Sequence, residues 1–229
     1  MPHRAALVLV LAVLFAVPAA AQVPPPAPPG PYVFDVRGAL GGFPRDTAFF
    51  PPVPTGTVVP TRGFGIDLGA HVYLFRLGAA RLGLGANVLR AHHKTSPAEP
   101  ATSGTSGGTG TSGTSAPRTV PDVDATLTML VPQLSFNFGT ADGWSYVSAG
   151  YGRAEVNTAT SGIATAATKE SGPLSSINLG GGARWFRSPH LAVGFDVRFH
   201  ILSARTQEAP LLGTPRSMVI TASAGISLR

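Results

Sequence analysis

From Leu191 to Ile201 every second residue is apolar: Leu191, Val193, Phe195, Val197, Phe199 and Ile201, with Asp196, Arg198 and His200 between them. Alternation of period two describes a strand with two unlike faces. The same pattern predicts seven further strands, over 32–39, 64–75, 81–90, 126–138, 144–156, 176–186 and 218–228. In 144–156 the facing stays open, because Trp144 and Tyr146 lie on one parity while Val147, Ala149 and Tyr151 lie on the other.

The connections between these strands alternate in length. Long segments, up to Arg62, over 92–124, over 157–172 and over 203–216, alternate with the short runs RLGAA, GTADG and RSPH. A soluble sheet would need helices or a second layer to cover its apolar face, and helical periodicity is almost absent. The alternative is a barrel with its apolar face towards lipid and its polar face inwards, with long outer loops and short periplasmic turns. The predicted fold is therefore all-β: an eight-stranded antiparallel transmembrane β-barrel.

The polar parity collects Asp35, Arg37, Asp67, His71, Arg81, Asn87, Gln133, Asn137, Asn178, Arg184, Asp196, Arg198 and His200, whereas the other parity carries little charge beyond Arg90, near a strand end. An Arg or Lys facing lipid at mid-depth costs about 2–4 kcal/mol, so lipid fixes the register. The lumen of eight strands is just wide enough for side chains to fill. Three Asp and four Arg facing it can pair, which offsets the cost of burying each charge alone. Inward glycines at 83, 85, 180, 182 and 194 leave room for them. A plugged lumen is expected, its polar network formed by Asp35, Arg37, Asp67, His71, Arg81, Asn137, Arg184, Asp196, Arg198 and His200. Phe138, Trp144, Tyr146, Trp185 and Phe186, near the short turns, are expected to form the periplasmic aromatic girdle.

Composition narrows the setting. Residues 1–21 read as a secretory signal, with His3 and Arg4 before an apolar run and Ala19-Ala20-Ala21 at a cleavage site near Ala21. The Pro-rich stretch 22–31 reads as an extended periplasmic linker, and the barrel follows over 32–229. Cysteine is absent, which excludes disulfides and thiolate chemistry. The formal charge of +6 comes without a basic run, and Lys94 and Lys169 are the only lysines. Attraction to anionic lipid accounts for that balance, and nucleic acid is not an expected partner.

Candidate chemistry is sparse. Gly104, Ser106 and Gly108 match a nucleophile-elbow spacing, but in a low-complexity Ser/Gly/Thr stretch with no strand before or helix after it. That stretch is expected to be a flexible outer loop. His92-His93 beside Lys94 lacks a third metal ligand in spacing. His71 and His200 share a parity with Asp67 and Asp196, yet a filled lumen admits no substrate for an acid–base pair. Gly83-x-Gly85 and Gly180-Gly181-Gly182 lie within strands and are not phosphate loops. Catalytic residues, cofactors and metals are not expected.

The segments PQLSFNFG, WSYVSAGYGRA, INLGGGARWF and HLAVGFDVRFHI together resemble the bacterial outer-membrane β-barrel domain family, the small barrels similar to the OmpA transmembrane domain. The resemblance covers most of 32–229 and rests on pattern. It implies insertion by the outer-membrane assembly machinery and residence in outer-membrane lipid. It covers structural proteins, adhesins and lipid-active enzymes, so the fold leaves activity open. Members commonly end in an aromatic residue, whereas this chain ends Ile226-Ser227-Leu228-Arg229, and no peptidoglycan-binding domain is expected after the last strand. The expected role is non-enzymatic, structural or surface-interacting, with an extracellular ligand met through the outer loops. The alternatives are a narrow channel for small or hydrophobic solutes and a lipid-modifying enzyme, for which neither His190 at a turn nor inward His200 is well placed.

Overall fold

The computed structural model describes residues 30–97, 120–163, 166–207 and 213–229. The signal peptide, nearly all of the linker and the low-complexity stretch around Ser106 lie outside these residues. Nine strands are present: β1 (Tyr32–Gly42), β2 (Arg62–Leu77), β3 (Ala80–Thr95), β4 (Asp122–Thr140), β5 (Gly143–Ser161), β6 (Ala167–Glu170), β7 (Leu174–Phe186), β8 (Leu191–Leu202) and β9 (Ser217–Leu228). Eight of them form a closed antiparallel meander, and β9 pairs back onto β1 from Phe34↔Leu228 to Gly41↔Thr221. The short β6 only extends β5 at the loop end. From Phe34 to Gly41 this closure leaves the wall without an open edge, as a strand structure in lipid requires.

The pairings run obliquely. Followed from Phe34 through Ala70, Ala86, Ile177, Ile201 and Met218, the outward ladder returns towards β1 past Gly41, at the other end of the strand. That stagger tilts the strands and sets the barrel width. The short turns fall at one end, and at the β2–β3 turn Gly78 takes a left-handed φ of 61° that costs glycine little.

Towards the short turns the outer wall is apolar. Phe34, Val36, Leu68, Val72, Leu134, Phe136, Val147, Leu179, Phe195 and Ile226 all point away from the barrel. In water such a surface would drive aggregation; in lipid it is the surface the fold requires. The facing of β5 is now fixed, with Val147 and Tyr151 outside and Trp144 and Tyr146 inside at 2% and 3% exposure. Those two residues are therefore not part of an outer girdle, and neither is Phe186, which packs against the inner cluster of Tyr73, Trp144 and Tyr146. Trp144 stacks on Phe186 at 4.9 Å and meets Tyr73 edge-on at 5.7 Å, closing the lumen near the short turns. Phe138 and Trp185 do face outwards.

Towards the loops the parity reverses on three strands. β4 and β5 are 19 residues long, far beyond the 9–11 that cross a bilayer, whereas β1 has 11 and β8 and β9 have 12. On β4 the outward positions change from Leu130, Pro132 and Leu134 to Thr128, Thr126, Asp124 and Asp122. On β3 they become Arg90, His92 and Lys94, and on β5 Arg153, Glu155 and Asn157. Polar contacts lace this outer face, an ion pair of Lys94 with Asp122 at 3.0 Å and a hydrogen bond between His92 and Asp124 at 2.8 Å. The inward positions become apolar: Leu89, Val123, Ala125, Leu127, Met129, Val131, Ala154 and Val156. Above the lipid the wall therefore has the pattern of a soluble barrel, polar outside and apolar inside.

This reversal corrects two boundaries. The segments 92–124 and 157–172 are not loops throughout, because β3 runs to Thr95, β4 begins at Asp122, and β5 turns into β6. The apolar interior is capped from above by the β1–β2 connection, whose one-turn 3-10 helix (Thr47–Phe49) is started by Asp46 accepting from the Ala48 amide at 2.8 Å. Phe43, Phe49 and Phe50 pack against Leu127, Leu174, Leu202 and Val219, and Thr158 donates to the Phe49 carbonyl at 2.8 Å.

The change of environment along β4 can be measured. Leu134→Arg is expected to destabilise the protein in lipid vesicles by about 2–4 kcal/mol, and Thr126→Arg by at most about 1 kcal/mol, read by urea titration. Equal costs would place both positions in the same medium. Both lysines lie at the loop end, so a membrane-impermeant acylating reagent is expected to label Lys94 and Lys169 on intact cells. Partial burial pulls the Lys169 ammonium below the ordinary lysine value, with Asp46 opposing. More of it is neutral at mildly alkaline pH, so it should react faster than a free lysine side chain.

Candidate functional site

The polar half of the lumen is built from one or two inward residues on each barrel strand. Asp35 and Arg37 come from β1, Asp67 and His71 from β2, Asn87 from β3, Gln133 from β4, Tyr146 from β5, Asn178 and Arg184 from β7, Asp196 and Arg198 from β8, and Ser223 and Ser227 from β9. All are buried, Arg184 at 1% exposure. Strand parity places them there, and the closed wall makes strands far apart in sequence into neighbours.

Asp35 is the most connected acceptor. Arg184 donates to it through Nε at 2.9 Å and Nη2 at 2.5 Å, a two-pronged arrangement that only a guanidinium can make with a carboxylate. Arg37 Nη2 lies 2.6 Å from the same carboxylate, Ser227 donates to it at 2.6 Å, and His71 Nδ1 is 3.5 Å away. Arg37 reaches on to Asp67 at 3.0 Å, and Asp67 also accepts from Asn87 at 2.8 Å and Ser223 at 2.9 Å.

The third carboxylate, Asp196, accepts from Tyr146 at 2.6 Å and from Arg198 at 2.8 Å. Arg198 also donates to Gln133 and, at 3.2 Å, to Asn178. Gln133 contacts Asn87 and lies 2.7 Å from His71 Nε2, which joins the Asp196 group to the Asp35 group. The Arg184 guanidinium sits 4.4 Å above the Tyr146 ring. Three aspartates thus face three arginines in one connected network, and the formal charges balance inside a wall that lipid surrounds.

Glycines make the space. A Cβ at Gly85 would lie 2.3 Å from His71 Cδ2, one at Gly180 would lie 2.5 Å from Arg198 Cγ, and one at Gly182 would lie 2.8 Å from the Tyr146 hydroxyl. Each long polar side chain lies flat across a bare stretch of the neighbouring strand.

Of the ten residues expected in the lumen, seven are in this assembly. His200 is buried above it, 3.2 Å from the Thr221 hydroxyl. Asn137 donates to the Ser135 hydroxyl at 2.9 Å and to the Arg81 carbonyl at 3.2 Å, near the short turns. Arg81 itself is only half-buried there, away from the sealed centre. Tyr146, Ser223 and Ser227 are the members that sequence reasoning missed; the outward run Val147, Ala149 and Tyr151 was the available signal for the facing of Tyr146. His71 lies between the Gln133 amide at 2.7 Å and the Asp35 carboxylate at 3.5 Å, and His200 meets the Thr221 hydroxyl at 3.2 Å. His92 is hydrogen-bonded to Asp124 on the outer face, and among the described residues no group of three metal-ligating side chains comes together.

Removing both members of the central pair should cost much less than the two separate removals added together. Arg184→Met leaves Asp35 without its two-pronged partner and is expected to lose about 3–5 kcal/mol in urea unfolding, whereas Asp35→Asn with Arg184→Met should cost clearly less than the sum of the single changes. Additive costs would mean that the two residues act independently.

No family model matches the sequence, and no curated protein matches it. Among solved structures the chain is similar to Ail, the attachment invasion locus protein of Yersinia pestis, with a TM-score of 0.50 at 11% identity, covering 87% of this chain and 98% of that one. Further similarities are to the neisserial surface protein NspA, with a TM-score of 0.49 at 11% identity over 87% and 97% of the two chains, and to the N-terminal β-barrel domain of Pseudomonas aeruginosa OprF, with a TM-score of 0.40 at 13% identity over 86% and 96%. Identities this low speak to architecture alone. With a closed eight-stranded meander, an apolar outer wall and a polar interior, the chain has the fold of the small outer-membrane β-barrels.

Proposed function

We propose that this protein is a sealed outer-membrane anchor whose working surface is the part standing above the lipid. The observation that carries this reading is that the lumen is filled twice by unlike means. A charge-balanced polar network occupies the half nearer the short turns. A cap of Phe43, Phe49 and Phe50 over an apolar core occupies the half nearer the loops. Each filling blocks passage without the other, which argues against a channel for small or hydrophobic solutes. The buried acids and bases of the lumen bond to one another, and the role proposed is not enzymatic.

In this reading the outer-membrane assembly machinery inserts the chain, and lipid holds it through the apolar wall. An extracellular ligand would meet the polar faces of β3, β4 and β5 and the loops they carry. A rigid, ion-paired extension is a better platform for recognition than a loop alone, because its side chains are held before binding.

Planar-bilayer recording tests the seal. Pure folded protein is expected to give no discrete conductance steps, and Phe49→Ala with Phe50→Ala should stay silent, because the polar network closes the other half. Steps from the unaltered protein would overturn the sealed reading. Lipid A and phospholipid profiles should be the same in deletion and overexpression strains; a changed profile would restore the enzymatic alternative.

A further inference from the structure

The β1–β9 seam is incomplete at its loop end. The two strands pair as far as Gly41↔Thr221; β1 then ends at Gly42, while β9 continues to Ser217 beside β8. Gly42 passes close against β9, where a Cβ would lie 3.2 Å from the Ile220 carbonyl oxygen, and Phe43 folds into the barrel. This departure opens a cleft of about 530 Å³ between Leu40, Phe43, Met218 and Ile220, with Arg45 and Arg62 among its lining residues.

A second groove, of about 500 Å³, continues down the outer wall and shares Leu40 and Ala222 with the first. Its floor is shallow because the cross-strand pair Gly38↔Ala224 and the neighbouring Ala222 present almost no side chain. Phe64, Phe195 and Val197 form its flanks. Cleft and groove together make one apolar track on the lipid-facing wall, with two guanidinium-bearing residues at its upper end.

The charges at that end are not consumed by the protein. Arg45 and Arg62 are exposed, and neither joins an ion pair among the described residues. The nearest acid in sequence, Asp46, has its carboxylate turned to the Ala48 amide. Guanidinium groups match the planar, multidentate demand of phosphate oxygens. An apolar track below two such groups, at the loop end of a membrane barrel, complements one kind of molecule in both charge and shape.

We propose that the seam binds an acylated lipid of the outer leaflet whose phosphate carries a net negative charge, the phosphate lying between Arg45 and Arg62 and one acyl chain over Gly38, Ala222 and Ala224. The test is native mass spectrometry of the folded full chain released from detergent. Its probes are lipid A, phosphatidylcholine of matched chain length, and inorganic phosphate as a competitor. Lipid A is expected to be retained in preference to phosphatidylcholine, and Arg45→Gln with Arg62→Gln should reduce that retention about tenfold or more. Ala222→Leu, which fills the track without touching a charge, should reduce it separately. Phe64→Ser, which removes a flank, serves if Ala222→Leu loses the heat-modifiable gel shift of the folded barrel. Equal retention of the two lipids, or retention unchanged in the arginine or track variants, would overturn the proposal. Displacement by inorganic phosphate alone would also overturn it, by assigning the arginines to a soluble anion, and so would a second copy of the chain occupying the seam.

Discussion

Everything inside the lower barrel depends on the Asp35 carboxylate having enough donors. A carboxylate surrounded first by strands and then by lipid has no water to fall back on, and leaving it unpaired costs several kcal/mol. Arg184, Arg37 and Ser227 supply those donors from β7, β1 and β9, with His71 of β2 at the edge of the group. Arg184 stands 149 residues from Asp35 along the chain, so the pair exists only once the last strands have met the first. An incomplete barrel would carry unmatched charge into the bilayer. Neutralisation and closure are therefore one event, and the seam between β1 and β9 is where it is completed.

The fold was legible because lipid punishes the wrong face so heavily. Strand eight could not be turned over without exposing Asp196 and Arg198 to hydrocarbon, and the alternation of long and short connections fixed the meander. Which inward residues would pair was not legible. Asp35 and Arg184 share a parity, but parity gives a side of the wall and no depth or neighbour; the stagger of the ladder decides both. Tyr146 was hidden because β5 carries aromatics on both faces, and an aromatic near a turn fits a girdle or a plug equally well.

The apolar upper interior was missed for a related reason. Val123, Ala125, Leu127 and Met129 alternate as well as any lipid-facing run, and period two does not say which medium lies outside. Asp122, Asp124, Arg153 and Glu155 on the opposite parity held the answer, since they require water where Leu134 and Val147 require lipid. The predicted strands over 126–138 and 144–156 fall short of the 19-residue β4 and β5, whose remaining residues count as loop in the sequence pattern.

The reversal also draws a waterline on the protein. On one side it falls between Val88 and Arg90, between Leu130 and Thr128, and between Tyr151 and Arg153, with several residues of strand still to climb. On the other side the wall is apolar almost to where it stops, at Ile201, Met218, Leu40 and Phe64. The rim is consequently oblique, tall along β3 to β5 and level with the bilayer along β8, β9, β1 and β2. The Phe49 connection leans from the low side to the high one, where Thr158 holds it. A molecule arriving from outside finds a wall on one flank and open membrane on the other, so the protein has a front and a back in the plane of the membrane.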